Sequence, residues 1–288
     1  MKVLAVVQNK GGVGKTTVAR LISEYFARHG LNTLALDLDP QCNFSRRFLN
    51  MEFDPADPDG IAPPLHPEYN REEEQDWSGR SSAADIYYSG QVVAYATRFN
   101  ALDIIPGEGA KLRDIELVQK ADVKERVHDR LHAFLMLPDV QELYQVVVID
   151  TSPSKGPVTV SAVRAASHLI IPTTMEPQPI EGLYGMLQLW RRENRRRDIN
   201  QLLEIVCIQP NLFRKGVALH EGLYESLRND EAIAPLLSPV ILHQRIAFAE
   251  SDHPGAEPKS VFDLPEKEPA RHEAEELCAF VREKLFNT

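Results

Sequence analysis

The sequence lacks several features that would assign it to common protein classes. Its 288 residues include only three cysteines, Cys42, Cys207 and Cys278, which are far apart and form no CxxC pair. This spacing argues against a disulfide framework or a zinc ribbon, and a reducing cytoplasm is the expected environment. No stretch approaches the roughly 20 uncharged apolar residues that a membrane-spanning helix needs. The first ten residues, MKVLAVVQNK, run directly into a predicted strand, so we expect no signal peptide.

The composition instead indicates a globular protein with a sizeable core. Hydrophobic residues make up 43% of the chain and charged residues 26%, close to the average for soluble domains. The formal net charge is −10, but residues 51–85 alone contain two Lys/Arg and ten Asp/Glu, a net of −8. The remainder is therefore close to neutral, which leaves room for a local basic face that binds a polyanion.

Apolar runs alternate with helical periodicities along the chain. Strands are predicted at residues 3–8, 33–38, 102–106, 145–150, 168–172 and 203–208. Helices are predicted at residues 17–29, 112–135, 180–197, 219–229 and 270–285, with a short one near residue 81. The alternation is typical of an α/β fold with a doubly wound, mostly parallel sheet flanked by helices. We expect one domain over residues 1–288.

One segment, residues 51–80, interrupts the pattern. It contains DPADPDG and PPLHPEYNREEEQD and is rich in proline and acidic residues. Such a composition is typical of a solvated loop, so we predict an acidic, flexible insertion here.

A glycine-rich turn lies between the first strand and the first helix. Residues 10–17 read KGGVGKTT and end in the Gly-Lys-Thr of the P-loop pattern. Glycines let backbone N–H groups converge on phosphate oxygens, and the N-terminus of the following helix attracts anions. Lys15 is predicted to neutralise the β/γ-phosphates, Thr16 to ligate Mg²⁺ and Thr17 to contact the α-phosphate. The predicted nucleotide-binding residues of this loop are Gly11, Gly12, Val13, Gly14, Lys15, Thr16 and Thr17.

Two further features resemble the ParA/MinD family of deviant Walker A ATPases, and its Soj-like ParA partition ATPases in particular. A second lysine, Lys10, opens the loop as in the family's KGGxGKT, and Asp37 and Asp39 lie in LDLDPQ, like the family's D-x-D-P-Q. VVVIDTSPS at residues 146–154 resembles the Walker B strand and the loop after it. Further similar segments lie at residues 102–117, 172–183 and 245–261.

The resemblance implies an ATP hydrolase, of weak basal activity, in which two subunits enclose ATP and Mg²⁺. Lys10 matches the signature lysine, which reaches across the dimer to the partner's phosphates. Lys15 and Thr16 match the lysine and the magnesium ligand that act within their own subunit. Catalysis of this kind depends on positioning and charge neutralisation.

Acidic residues complete the implied site. Asp39 matches the acid that orients the attacking water, and Asp37 and Asp150 match the acids that support Mg²⁺ and its waters. The chain departs from the family at two nearby points. Cys42 stands where D-x-D-P-Q is usually followed by glycine, and residues 150–153 read DTSP in place of D-x-P-P. Both departures lie in switch-like loops and concern hydrolysis more than nucleotide binding.

Adenine recognition is predicted at the end of a later strand. Gln209-Pro210-Asn211 follows the strand at residues 203–208, where related folds contact the base. We predict Asn211 as a nucleotide-binding residue, with a simple turn role as the alternative.

The resemblance also implies partners and a location. We expect no N-terminal helix-turn-helix, and in this respect the chain resembles the small plasmid or chromosomal type. Members of that type are nucleoid-associated, cytoplasmic homodimers that bind DNA nonspecifically. A ParB-like centromere-binding partner would stimulate its hydrolysis. The predicted DNA-binding residues are Arg214, Lys215 and Arg245. The arginine run at residues 191–197 is a further candidate, but cations are also common at solvated helix ends.

Alternative functions stay open at this point. MinD-like members bind membranes through a basic final helix, whereas HEAEELCAFVREKLF is acidic, so no membrane binding is expected. Nitrogenase-type iron proteins use paired cysteines, which this chain does not match. A ParA-like positioner of a non-DNA cargo would share every catalytic residue. A nucleotide-gated scaffold with little turnover would fit the departures at Cys42 and residues 151–152.

Overall fold

A seven-stranded sheet forms the centre of the computed structural model, which describes residues 1–54, 57, 60–72, 76–251 and 260–286. The strands in these ranges are β1 (Lys2–Val6), β2 (Thr33–Leu38), β3 (Glu52–Phe53), β4 (Ile61–Ala62), β5 (Tyr95–Ala96), β6 (Leu102–Ile105), β7 (Val146–Thr151), β8 (His168–Thr173) and β9 (Glu204–Pro210). The main sheet has the order β5-β6-β2-β7-β1-β8-β9 and is parallel except for β5. β3 and β4 form a separate antiparallel pair.

Helices cover both faces of this sheet. Those in the described ranges are α1 (Lys15–Arg28), α2 (Asp85–Tyr88), α3 (Gly109–Glu116), α4 (Ala121–Leu135), α5 (Pro138–Leu143), α6 (Pro157–Ala165), α7 (Pro177–Asn194), α8 (Ala218–Asn229), α9 (Ile246–Glu250) and α10 (Pro269–Phe286). Side chains of β1 alternate between two cores, with Val3 and Ala5 on one face and Leu4 and Val6 on the other. Alternation with both faces apolar is what a buried parallel strand requires. The predicted fold class is confirmed.

One predicted helix, at residues 112–135, is wrong as a single element. The structure divides it into α3 and α4, with Lys120 in an extended conformation just before α4 begins. Leu112 and Ile115 are the buried apolar side chains of α3, whereas α4 buries Val127, Leu131 and Leu135 along α6. A straight helix of that length would measure about 36 Å. The turn lets α4 pack beside α6 instead of continuing along the axis of α3.

The described part of residues 51–80 packs onto the domain. The ring of His66 lies between those of Trp77 and Tyr95, and the Tyr95 hydroxyl donates to the carbonyl of Pro64 at 2.8 Å. An ion pair joins Asp57 to Arg113 of α3. Residues 55–56, 58–59 and 73–75, which the predicted insertion also includes, lie outside the described residues.

The final helix covers the sheet face that carries α1. α10 buries Leu277, Val281 and Leu285 in the same core as Phe26 of α1. Its apolar face is therefore used inside the molecule. Within the described ranges, no helix combines the length and apolar character needed to cross a bilayer.

The sheet order brings three strand ends together. β1 lies between β7 and β8, and β7 lies between β1 and β2. Val6 pairs with Asp150, and Asp37 pairs with the same Asp150 from the other side. The loop after β1 and the acids of β2 and β7 therefore meet at the carboxyl edge of the sheet, where open α/β folds bind ligands.

Candidate nucleotide site

The glycine-rich turn adopts a conformation that its glycines make accessible. Gly12 and Gly14 have φ values of +73° and +83°, in the left-handed region, and Gly14 is the N-cap of α1. A Cβ on Gly14 would also overlap the Asn211 side-chain amide nitrogen. Position 14 therefore requires glycine both for its backbone conformation and for the lack of space for a side chain. Gly11 and Gly12 are exposed on the loop surface, whereas Val13 is buried.

Lys15 is held inside the loop. Its side chain is 6% exposed, and Nζ donates a hydrogen bond to the carbonyl of Lys10 at 3.2 Å. Burial lowers the pKa of Lys15, while the carboxylates of Asp150 and Asp39 raise it. A buried cation at the start of a helix is well placed to neutralise an anion bound by the loop.

Thr16 and Asp150 form a second polar contact beneath the loop. The Thr16 hydroxyl donates to Asp150 Oδ2 at 2.7 Å, while Asp150 Oδ1 is buried and has no hydrogen-bond partner among the described residues. Burial, followed by the negative charge of Asp37, raises the pKa of Asp150 well above its usual value. A buried, unpaired carboxylate oxygen beside a hydroxyl suits a hard cation, so these residues fit Mg²⁺ and its waters.

The donor set favours Mg²⁺ held jointly with phosphates. Within the part of the chain that the structure describes, no group of three or more His, Cys, Asp or Glu side chains is arranged to hold a metal. Mg²⁺ is usually bound by one or two protein ligands together with phosphate oxygens and waters. Thr16 and Asp150 are two protein groups of this kind, and they fit a Mg²⁺ ion that is held jointly with a nucleotide.

Asp37 organises the loop after β2. It is fully buried, and Oδ2 accepts from the Ser45 backbone N–H at 2.8 Å and from the Ser45 hydroxyl at 2.6 Å. Its Oδ1 accepts from the Asp39 N–H at 3.0 Å. Burial raises the pKa of Asp37 to about 6, although these hydrogen bonds oppose the shift. The assignment of Asp37 to Mg²⁺ support stays a prediction.

Asp39 and Cys42 lie in the same turn. Asp39 is 8% exposed, and its Oδ1 accepts from the Gln41 N–H at 2.9 Å. Cys42 is buried with a φ of +51°, and its N–H donates to the Asp39 carbonyl at 2.8 Å. Cys42, which replaces the family's usual glycine, thus has a left-handed backbone conformation that glycine adopts without strain. Burial raises the pKa of the Cys42 thiol, which keeps it protonated and unreactive.

Asn211 forms a hydrogen bond that holds the glycine-rich loop at residues 10–17 in place. Its amide nitrogen donates to the carbonyl of Val13 at 2.7 Å, and its Oδ1 accepts from the Leu212 N–H at 3.0 Å. Its own N–H donates to the carbonyl of Thr173 at 2.9 Å. The side-chain amide is therefore committed to holding the loop, and its predicted contact with the base stays a prediction.

A cavity of about 410 Å³ opens beside Asn211. Gly14 and Thr17 form one side of it. The other lining residues are Asn211, Leu212, Leu242, Gln244, Arg245, Ile246, Phe248 and Ala249. Apolar walls with a few polar groups suit a purine ring. No motif in the sequence predicted most of these lining residues, because they come from segments that lie far from the glycine-rich loop along the chain.

Lys10 lies at the outer side of the site, against α7. A Cβ on Gly182 would come within 2.8 Å of Lys10 Cγ, so that side chain passes directly over a glycine of α7. The neighbouring Asn9 has a buried Oδ1 with no hydrogen-bond partner among the described residues. The role of Lys10 across a dimer interface stays a prediction.

The predicted DNA contacts occupy different environments. Arg214 and Lys215 are exposed on the loop between β9 and α8. Arg245 lines the cavity, and its Nη2 lies 2.5 Å from Glu273 Oε1, an ion pair that raises the pKa of Arg245. The charge of Arg245 is thus already paired, whereas both loop residues extend into solvent. All three assignments stay predictions.

The arginine run at residues 191–197 has structural contacts of its own. Arg197 Nη2 donates to three carbonyls at the end of α6, those of Val163, Arg164 and Ala166, at 2.7–2.9 Å. Arg196 pairs with Glu125 of α4 at 2.9 Å. These two arginines therefore stabilise the packing of α4 and α6 against the turn that follows α7.

Comparison with known proteins gives one family and several relatives. The family described as an AAA domain matches residues 1–205. An uncharacterized protein of Methanocaldococcus jannaschii is 25% identical, over 99% of this chain and 100% of that protein. The chromosome partitioning protein ParA of Caulobacter vibrioides is 30% identical, over 79% of this chain and 76% of its own length. The structure of an ATP complex of Cyanothece McdA shares the fold, with a TM-score of 0.75 at 17% identity over 99% of this chain and 96% of that one.

Proposed function

The chain belongs to the ParA/MinD type of P-loop ATPases, within the AAA domain family, and from this membership we propose that it is a partition ATPase. In this proposal ATP and Mg²⁺ bind at the loop after β1 and two subunits close around them. The dimer then binds DNA without sequence preference. A ParB-like partner on a centromere stimulates hydrolysis and releases the dimer, which moves a plasmid or chromosome.

One observation carries the nucleotide chemistry: the carboxyl ends of β1, β2 and β7 bring Lys15, Thr16, Asp39 and Asp150 into one site. Asp39 lies close enough to Lys15 for their charges to interact. Lys15 would bind the terminal phosphates, and Asp39 would orient the attacking water. These are the positioning and electrostatic roles that phosphoryl transfer needs.

Magnesium fits the site through Thr16 and Asp150. The Thr16 hydroxyl would exchange its hydrogen bond with Asp150 for a bond to the metal, and Asp150 would hold metal-bound water. When bound, Mg²⁺ supplies charge neutralisation at the phosphates. The apolar cavity next to Thr17 would take the adenine, with the amide of Gln244 available to its edge.

The DNA step rests on the loop after β9. Arg214 and Lys215 are both exposed there, and no ion pair to either is found among the described residues. Free cations on an exposed loop are the residue type that contacts phosphates. Because the chain as a whole carries a net charge of −10, any DNA affinity must come from such a local basic face.

The test is DNA binding by the purified protein without nucleotide, with ADP and with ATP–Mg²⁺. Unrelated duplexes and a series of salt concentrations separate specific from nonspecific binding. We expect binding only with ATP, indifferent to sequence and weakened by salt. Arg214→Ala should make the slope of log affinity against log salt shallower by about 0.9 for each phosphate that the arginine neutralises. Arg130→Ala, which removes an exposed arginine of α4 outside the predicted DNA contacts, is the matched control and should leave the slope unchanged.

Other outcomes point to different functions. Failure to bind DNA in any nucleotide state would contradict the DNA step and favour a positioner of a non-DNA cargo. Partner-stimulated turnover far above the basal rate would eliminate the nucleotide-gated scaffold.

A further inference from the structure

A hydroxyl cluster holds the loop that follows β7 against the end of α3. Glu116 Oε1 accepts hydrogen bonds from the hydroxyls of Ser152 and Ser154, both at 3.2 Å. The two serine hydroxyls are 3.0 Å apart, and Thr159 Oγ1 lies 3.2 Å from that of Ser154. The Gly156 N–H also donates to the Ser154 hydroxyl, at 3.1 Å. Glu116 is thus the acceptor at the centre of the loop's internal hydrogen bonds.

The shape of the loop independently makes room for this carboxylate. A Cβ on Gly156 would overlap Glu116 Oε2 and would lie 2.7 Å from Glu116 Cδ. Gly156 has an ordinary φ of −72°, so its backbone does not require glycine. Glycine at this position is explained by space for the Glu116 side chain.

The other end of α3 contacts the loop that carries Asp39. A Cβ on Gly109, the first residue of α3, would lie 2.9 Å from the carbonyl oxygen of Pro40. Just before it, the Gly107 N–H donates to the Ser45 hydroxyl at 2.9 Å, and that hydroxyl donates to Asp37. A single short helix therefore touches both loops that flank the predicted phosphate site.

We propose that Glu116 is a positioning residue for ATP hydrolysis, which fixes the loop at residues 152–156 relative to Asp39. This inference rests on the proposed function. Ser152 stands where the family's D-x-P-P has a proline, which stiffens a backbone without any partner. In this chain the hydroxyl cluster supplies the stiffness. Glu116 acts through the loop and does not touch the reacting atoms.

The test compares ATP turnover and ATP affinity in Glu116→Ala, Glu116→Gln and the wild type. Small misplacements in an active site lower rates by up to about 100-fold. We expect Glu116→Ala to lower kcat roughly 10-fold or more, with KM and ATP affinity nearly unchanged. Glu116→Gln keeps an acceptor oxygen and should recover most of the rate. Asp114→Ala, which removes an exposed acid from the same helix, is the matched control.

Gly156→Ala provides a test that does not depend on the folding of Glu116→Ala. It retains the Glu116 carboxylate, but the added Cβ displaces that group, so the variant should lower kcat in the same way. The effects of Glu116→Ala and Ser152→Ala should be less than additive, since both remove the same hydrogen bond. Additive effects, or a kcat that falls only in proportion to the fraction of protein that fails to fold, would overturn the proposal.

ATP turnover by the wild-type protein distinguishes an error in the role of Glu116 from an error in the proposed function. A wild-type protein that binds ATP but shows no turnover would contradict the proposed function, and this inference with it. A wild-type protein that turns over ATP, with an equally active Glu116→Ala variant, would overturn the inference alone.

Discussion

At the scale of single residues, the site combines charges that burial makes costly. Asp37 and Asp150 are both completely buried on adjacent strands, and burial raises the pKa of each. Lys15 is buried among them, and burial lowers its pKa. Such opposed shifts are typical of sites prepared for a charged ligand. Two variants separate the contribution of these charges to stability from their contribution to binding.

Lys15→Ala should abolish ATP binding. The variant removes the buried cation of the loop, and an uncompensated triphosphate next to Asp39 and Asp150 would be repelled. We expect affinity to fall by at least about 100-fold, as for removal of a charge-assisted hydrogen bond worth roughly 3 kcal/mol. Titration calorimetry measures it. Lys120→Ala, which removes a lysine that is 77% exposed, should bind like the wild type; equal affinity in both variants would contradict the role of Lys15.

Asp150→Asn should stabilise the nucleotide-free protein and weaken Mg²⁺-dependent ATP binding. Because folding raises the pKa of Asp150, the folded carboxyl retains its proton where the unfolded one has already released it. Wild-type stability therefore falls as the pH rises above about 4, until the folded pKa is passed. The asparagine never ionises and avoids this fall.

Thermal unfolding at about pH 7.5 measures the difference for Asp150→Asn. We expect a higher Tm for Asp150→Asn than for the wild type, by roughly 2–4 °C for each kcal/mol of stability gained. The gain should shrink as the pH approaches about 4. Asp139→Asn, at an exposed position, should leave Tm unchanged. A lower Tm for Asp150→Asn without nucleotide would show that its ionised form is not destabilising.

At the scale of secondary structure, the arginine run shows how composition can mislead. Arg164 pairs with Asp129 at 2.7 Å and with Glu125 at 2.9 Å, and Glu125 also pairs with Arg196. These contacts join α4 and α6 to the turn that follows α7, on one face of the sheet. A basic stretch that resembles a phosphate-binding surface in the sequence is thus partly used to hold helices together.

Arg197→Ala should destabilise the fold. Its Nη2 donates to three carbonyls at the end of α6, which would be left without this donor. We expect stability to fall by about 2 kcal/mol, or roughly 5 °C in Tm. Differential scanning calorimetry of Arg197→Ala beside Arg195→Ala, an exposed arginine two positions earlier, isolates the effect. Equal Tm values for the two variants would contradict the proposed role of Arg197 in joining the helices.

At the scale of the whole molecule, nucleotide binding and dimerisation should be separable. Asp39→Ala should keep ATP binding, because Lys15 and the loop remain, but lack the group that orients water. ATP would then persist between two subunits. We expect light scattering with ATP–Mg²⁺ to give about twice the monomer mass for this variant.

The Lys15→Ala variant is the control for this measurement and should remain monomeric with ATP. If Asp39→Ala also remains monomeric while binding ATP, the role assigned to Asp39 is wrong. If both dimerise without nucleotide, association does not depend on ATP.

The sequence by itself determined the alternation of strands and helices, the fold class and the phosphate loop. These follow from short-range rules, since apolar runs, glycines and a helix start lie within a few residues of one another. It did not reveal α6, whose residues are almost all buried, because a helix that is buried on nearly every side shows no clear apolar periodicity. It also joined α3 and α4, because no glycine or proline separates them.

Only the tertiary structure decided which distant residues complete the site. Asn211 holds the loop at Val13 across 198 positions, and Leu242 and Gln244 line the cavity beside Thr17. Glu116 meets Ser152 and Ser154 because α3 and the loop after β7 lie side by side. Such contacts depend on strand order and packing, which no local pattern encodes. The sequence thus specified the chemical groups, and the packing of the sheet determined which of them meet.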